Sequence, residues 1–143
     1  MLPPHIDLID MPHPPENPDP NTTVLIAEDD PVFRRVLAAS ISQLGVRIEA
    51  VSNGKEAYER IQRGGVDFLV LDYQMPICSG MELLERLAPE QQNEYDMPPT
   101  ILCTAKGFEI DGPALSKRFG LIGILHKPFS ATQLGKLISE NLR

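Results

Sequence analysis

Basic residues are scarce in this chain, and their placement is uneven. Of its 143 residues, 13 are Lys or Arg and 20 are Asp or Glu, for a formal charge of -7. No Lys or Arg precedes Arg34, and the first 20 residues contain Asp7, Asp10, Glu16 and Asp19. That stretch supplies -4, leaving -3 for the rest. Neither part offers the basic face that a nucleic-acid binder needs. Cysteine is also rare: Cys78 and Cys103 are the only two, without CxxC or metal-finger spacing. In apolar surroundings they read as reduced packing thiols of a cytoplasmic protein. No run is long and apolar enough to span a membrane. The N-terminus lacks the positive region and apolar block of a signal peptide. No internal repeat is visible.

Proline is plentiful, but half of it is in one place. Seven of the 14 prolines fall within the first 20 residues, in P-P-H, M-P-H-P-P and N-P-D-P. Such a stretch can neither hold a helix nor pair within a sheet. Residues 1–21 are therefore expected to be a disordered or extended arm, read as a passive tail, with Leu2, Ile6, Leu8 and Ile9 as the only possible anchors if it instead docks a partner. The remaining residues, 22–143, have the size and composition of one globular domain.

From Thr22 onward, strand and helix patterns alternate. Val24–Ala27 reads as a strand, and Asp30-Pro31 as the cap and first position of a helix. Phe33, Val36, Leu37, Ile41 and Leu44 recur at helical spacing as its inward face, and Gly45 ends it. A strand at Arg47–Val51 is followed by a helix that starts at Ser52-Asn53-Gly54 and ends near Gly64-Gly65. Val66–Leu71 reads as a central strand covered on both faces. A helix over Met81–Leu87 precedes a polar loop at about 89–99. Ile101–Cys103 is the fourth strand. An irregular stretch to about Asp111 leads into a short helix, Pro113–Phe119. Ile122–His126 is the fifth strand, and Ser130 caps a last helix with Leu134, Leu137, Ile138 and Leu142 inward. Five strands alternating with five helices predict an α/β fold: a parallel sheet with helices on both faces.

Four strands end in chemistry: V-L-I-A-E-D-D at 24–30, F-L-V-L-D at 68–72, T-I-L-C-T at 100–104 and I-G-I-L-H-K-P-F at 122–129. In a parallel sheet these ends share one edge, where open α/β folds bind ligands. Glu28, Asp29, Asp72, Thr104 and Lys127 are thus expected in one pocket. Packed carboxylates repel unless a cation joins them, and oxygen ligands alone suit Mg²⁺. Neither His nor Cys is placed to favour zinc. His126 adjoins Lys127, but alternation sends neighbouring side chains to opposite faces. Lysine offers a point charge for a phosphoryl oxygen and Thr104 a hydroxyl donor. Together these groups form a minimal site for phosphoryl transfer onto a carboxylate.

From about residue 22 to 143, the chain resembles the receiver domains of two-component response regulators. The resemblance rests on D-Y-Q-M-P-I-C-S-G at 72–80, E-D-D-P at 28–31, T-A at 104–105 and K-P-F at 127–129. It implies a flavodoxin-like three-layer sandwich with strand order 2-1-3-4-5, an order for which this family is a standard example. It implies Asp72 as phosphoacceptor. It gives Mg²⁺ to Asp29, Asp72 and the Gln74 backbone carbonyl, with Glu28 bound directly or through water. Thr104, Lys127 and the Ala105 amide would hold the phosphoryl group, and a cis peptide bond would precede Pro128. The donor would be a phosphohistidine on a sensor histidine kinase or histidine phosphotransfer protein. The domain would promote its own phosphorylation and dephosphorylation as a switch rather than an enzyme. Its unnamed protein target would meet the face near the fourth helix, fifth strand and fifth helix.

The family often has an aromatic three residues before the lysine, and here that position is Ile124. Signalling is therefore expected to use the loop after Thr104 instead. Gln74 and Lys106 occupy positions that tune acyl-phosphate lifetime in the family. Two other readings stand beside this one. A phosphorylation-independent scaffold is disfavoured by the intact acids, Thr104 and Lys127. A small aspartyl phosphatase would want a second acid two residues past its nucleophile, and that residue is Gln74. The chain reads either as a single-domain regulator or as a piece of a longer protein.

Overall fold

The structure is a computed structural model that describes residues 21–88, 97–105 and 110–141. Residues 1–20 of the arm expected at 1–21, residues 89–96 of the loop expected at about 89–99, residues 106–109 with Lys106, and residues 142–143 with Leu142 lie outside the described residues. The elements run β1 (Thr23–Ala27), α1 (Pro31–Ser42), β2 (Arg47–Val51), α2 (Gly54–Gln62), β3 (Phe68–Asp72), α3 (Gly80–Leu87), β4 (Thr100–Thr104), α4 (Gly112–Phe119), β5 (Gly123–His126) and α5 (Ala131–Asn141). All strand pairs are parallel, in the order β2-β1-β3-β4-β5.

Two-residue alternation along the strands sorts the core into two layers. Leu25, Ala27, Leu69, Leu71 and Leu102 face α2, α3 and α4, where they meet Ala57, Ile61, Leu83, Leu84 and Phe119. Val24, Ile26, Phe68, Val70, Ile101 and Cys103 face α1 and α5, against Leu37, Ile41, Leu134 and Ile138. β1, β3 and β4 are buried along their whole length. The three-layer sandwich expected from the sequence is thus present.

Local chemistry fixes the helix starts. The Asp30 side chain accepts from the N–H groups of Val32 and Phe33, with Pro31 next. Asn53 accepts from the Glu56 N–H at 2.9 Å. Ser79 and Glu82 form a reciprocal capping box, as do Ser130 and Gln133.

Some expectations need correcting. Val36 is 48% exposed rather than inward. It lies one residue, about 100°, round the helix from Leu37, outside the stripe that meets the sheet. α1 stops at Ser42 with Gln43 as C-cap, while Gly45 takes its positive φ in the turn beyond. β3 begins at Phe68, because Asp67 turns its carboxylate back to the Thr23 N–H at 2.8 Å. β5 begins at Gly123 and is a half-exposed edge strand.

Candidate functional site

The carboxyl edge of the sheet gathers the chemistry-bearing side chains. Asp72 is the last residue of β3, and its Cα pairs with Cys103 one position before Thr104 ends β4. Glu28 follows β1 and continues its pairing, with its N–H donating to the Val51 carbonyl at 3.1 Å. Lys127 follows β5, and its N–H donates to the Thr104 carbonyl at 2.7 Å. The Lys127–Pro128 peptide bond is cis.

Three of the expected ligands converge. Glu28, Asp29 and Asp72 each offer a carboxylate oxygen, and these oxygens lie within 4.8 Å of one another. Glu28 and Asp72 are buried, whereas Asp29 is exposed. Lys127 Nζ lies 3.2 Å from Glu28 Oε2 and 3.3 Å from Asp72 Oδ1. It also lies 4.5 Å from the centroid of the Phe33 ring. A hard, oxygen-only donor set open on the Asp29 side fits Mg²⁺, which keeps several waters. Among the described residues no His or Cys joins the set.

Burial, and then the neighbouring Asp72, push the Glu28 carboxyl up to about 7. Burial also raises Asp72, against the opposing pull of Lys127 and the Gln74 backbone N–H. Burial alone would lower the Lys127 ammonium, but Asp72 and Glu28 more than reverse this and hold it above its ordinary value. The site therefore carries acidic groups that lack enough positive charge, the condition a divalent cation relieves.

The turn after Asp72 is closely built. The Tyr73 N–H donates to the Cys103 carbonyl at 2.8 Å, and the Gly80 N–H to the Tyr73 carbonyl at 2.9 Å. The Cys78 N–H reaches the Pro76 carbonyl at 2.7 Å across Ile77, whose φ is 69°. Ile77 is 75% exposed at the tip of this turn. A positive φ at a β-branched residue is uncommon, and it re-aims the chain toward α3.

The other expected residues are placed as follows. Thr104 is fully buried at the end of β4, and Ala105 is exposed just beyond it. Gln74 is exposed beside the acceptor, with its backbone N–H turned to Asp72. Ile124 does not line the site. It is half-buried on β5, and its Cδ1 lies 3.4 Å from where a Cβ on Gly112 would stand. Asp30 serves as helix cap, and Cys78 and Cys103 are buried and unbridged. A cavity of about 500 Å³ lies at the other end of β4 and β5, lined by Met97, Pro98, Phe119, Ile122 and others. It contains none of the acids.

Sequence reasoning placed Phe33 only on a core face and passed over Arg34. Arg34 Nη1 donates to the Glu28 backbone carbonyl at 2.8 Å and holds the acidic turn. Its signal was its position as the first basic residue of the chain, one helical turn past the acids.

The sequence profile of the response regulator receiver domain family matches residues 24–139. The Response regulator GtcR of Aneurinibacillus migulanus is 31% identical over 121 residues, spanning 85% of this chain and 48% of that protein. The Transcriptional activator protein PfeR of Pseudomonas aeruginosa is 34% identical over 124 residues, spanning 87% and 39%. This chain spans about half or less of these relatives' lengths. Among solved structures, the receiver domain of the Francisella response regulator 1452 superposes with a TM-score of 0.72 at 27% identity, covering 83% of this chain and 94% of that one. The chemotaxis protein CheY4 of Vibrio cholerae gives 0.71 at 25% identity, covering 85% and 98%. A five-stranded sheet of this order with a lysine and three acids at its edge defines a phosphorylation-signalling module, and the chain belongs to the response regulator receiver domain family.

Proposed function

We propose that Asp72 accepts a phosphoryl group from a phosphohistidine on a sensor histidine kinase or histidine phosphotransfer protein. The observation that carries this reading is the position of Lys127, within 3.3 Å of Asp72 and 3.2 Å of Glu28, with Asp29 at the open side. An Asp72 carboxylate oxygen attacks phosphorus and the P–N bond breaks. The electron pair goes to the ring nitrogen, which leaves as neutral imidazole when the second nitrogen carries a proton. Glu28, Asp29, Asp72 and the Gln74 carbonyl would hold Mg²⁺, which when bound neutralises charge on the phosphoryl oxygens. Lys127, the Thr104 hydroxyl and the Ala105 amide take the remaining oxygens. Attack by water on the same phosphorus later restores Asp72, so the domain promotes both its own phosphorylation and its own dephosphorylation.

Phosphorylation shifts an equilibrium between two conformations. The output face lies at α4, β5 and α5, and binds a downstream protein. Ile124, packed against the start of α4, replaces an aromatic relay, so the loop after Thr104 reports the state of the site. Residues 22–143 form the domain, 1–21 an arm, and the setting is cytoplasmic. Among the described residues no helix is long and apolar enough to cross a membrane.

Incubation with acetyl phosphate and Mg²⁺, read by intact mass, tests the site. Wild type gains one phosphoryl group and Asp72→Ala gains none. A wild type that gains none favours a phosphorylation-independent scaffold, and labelling that survives Asp72→Ala refutes the assignment.

A further inference from the structure

We propose that Phe33 is a positioning residue for Lys127. Its ring face, braced by Phe129, holds the ammonium at the point from which it meets the incoming phosphoryl group. This inference rests on the phosphoacceptor reading of Asp72.

The geometry has three parts. Lys127 Nζ lies 4.5 Å from the Phe33 centroid, within the range of an attraction between a cation and the negative face of the ring. Phe129 meets Phe33 at 5.6 Å between centroids with the planes at 74°, an edge-to-face pair that fixes the ring's orientation. The backbone of Phe33 is tied to the acidic turn, because its N–H is within 3.4 Å of the Asp30 capping carboxylate. One ring thus joins the start of α1 to the K-P-F turn that carries the lysine.

A lysine needs such a guide here. Its stem is flexible and its charge is a point, so attraction to carboxylates sets no direction. The side chain is 23% exposed, which leaves a route into water. Its contacts with Glu28 and Asp72, 3.2 and 3.3 Å, are longer than the roughly 2.7–2.9 Å of a tight charge-assisted bond. The ammonium is therefore shared among three partners rather than seated on one. A lysine bound tightly to Asp72 would occupy the approach of the phosphorus. The ring holds it back from that contact while keeping it within reach.

Phe33 is also partly buried and packed in the core, so the test must separate positioning from packing. Phe33→Met keeps bulk and loses the ring face, whereas Phe33→Tyr keeps the face. Labelling of the full chain by acetyl phosphate and Mg²⁺ is expected to slow about fivefold in Phe33→Met, within the range of a cation–ring contact, and to stay within about twofold of wild type in Phe33→Tyr. Independently of labelling, the Lys127 Hε protons are expected to show an upfield ring-current shift by NMR in wild type and Phe33→Tyr, and to lose it in Phe33→Met. If Phe33→Met does not fold by circular dichroism, Phe33→Leu replaces it. Unshifted Hε protons in wild type, an unchanged Phe33→Met rate, or equal slowing in Met and Tyr variants would each overturn the proposal. A wild type that takes no phosphoryl group overturns the phosphoacceptor reading and this role with it. The Hε shift would then show whether the Phe33–Lys127 contact exists on its own.

Discussion

Lys127 Nζ lies 3.2 Å from Glu28 Oε2, although 99 residues of sequence separate them. The Glu28 side chain is only 1% exposed, so this ammonium is the cation that makes its burial tolerable. Lys127→Met keeps the stem and removes the charge, which leaves Glu28 facing Asp72 unaided. A buried charge that loses its partner is expensive, and here the loss at pH 8 is expected to be about 2 kcal/mol. At pH 5 Glu28 holds a proton in the folded state, and the expected loss falls below about 1 kcal/mol. Urea denaturation in EDTA at the two pH values measures both. Equal losses would mean that Glu28 is not the group the lysine relieves.

Metal-free stability is expected to fall as pH rises through the same region. Burial and Asp72 raise Glu28 from 4.5 to about 7 in the folded chain. Between those values the folded state holds a proton that the unfolded chain has released. Stability is thus greatest below about 4.5 for this group, declines through the window and levels off above 7. Asp72 is raised as well and acts in the same direction. Glu49 is lowered by its hydrogen bond from Arg60, so its own effect lies below the window. The decline is expected to reach about 2 kcal/mol. Mg²⁺ displaces the retained proton, so saturating Mg²⁺ should flatten the profile and raise stability most at pH 7–8. Thermal unfolding from pH 5 to 8, with EDTA and with Mg²⁺, measures this. Parallel profiles in the two conditions would remove the acids as the metal site.

The edge of the sheet was legible in the sequence for a physical reason. A parallel sheet puts the ends of all its strands together, so an apolar run that stops at an acid or a lysine declares where its last side chain goes. Helix starts were legible because Asp30, Asn53 and Ser130 answer a local need of the backbone. Contacts set by packing between distant elements were not. Phe33 reads like any apolar residue of an amphipathic helix. It meets Lys127 only because α1 and the turn before α5 come together on one face. The I-G-I-L run of β5 reads like a core strand, since composition does not show that one side of it lacks a neighbour. Val36 looked inward because a stripe's width depends on what it packs against.

The turn that aims Asp72 depends on a glycine for space rather than for backbone freedom. A Cβ on Gly80 would collide with the Asp72 carbonyl oxygen and stand 2.9 Å from Tyr73 Cα. Both are backbone atoms and cannot step aside. Gly80→Ala is expected to cost about 3 kcal/mol and to slow labelling of Asp72, since the acceptor's own peptide must move. Gly64 is the opposite case, with φ at +80° and nothing within 4 Å of the added atom. Gly64→Ala should cost about 1 kcal/mol through φ alone and leave labelling unchanged. Chemical denaturation and acetyl phosphate labelling of the two variants distinguish space from strain. A labelling rate in Gly80→Ala equal to wild type would show that the turn adjusts without moving Asp72.

Both thiols are expected to be silent in the folded protein. Cys103 is 1% exposed on β4, and burial pushes its pKa up to about 12. Cys78 is 3% exposed after the acceptor turn, and burial raises it too. Thiolate is the reacting form, so a raised pKa and loss of access act together. At pH 8 a disulfide reagent should label neither within minutes, and both at once in guanidinium. Slow labelling over hours would then report local opening. Cys103 is the informative one, because its Cα pairs with Asp72 and its carbonyl accepts the Tyr73 N–H at 2.8 Å. Its side chain faces α1 and α5, so exposing it means lifting those helices from the sheet below the acceptor. Mg²⁺ bound at Asp72 should therefore slow labelling of Cys103, measured in Cys78→Ala, in proportion to the stability it adds. A Cys103 rate unaffected by Mg²⁺ would show that this helix layer opens independently of the site above it.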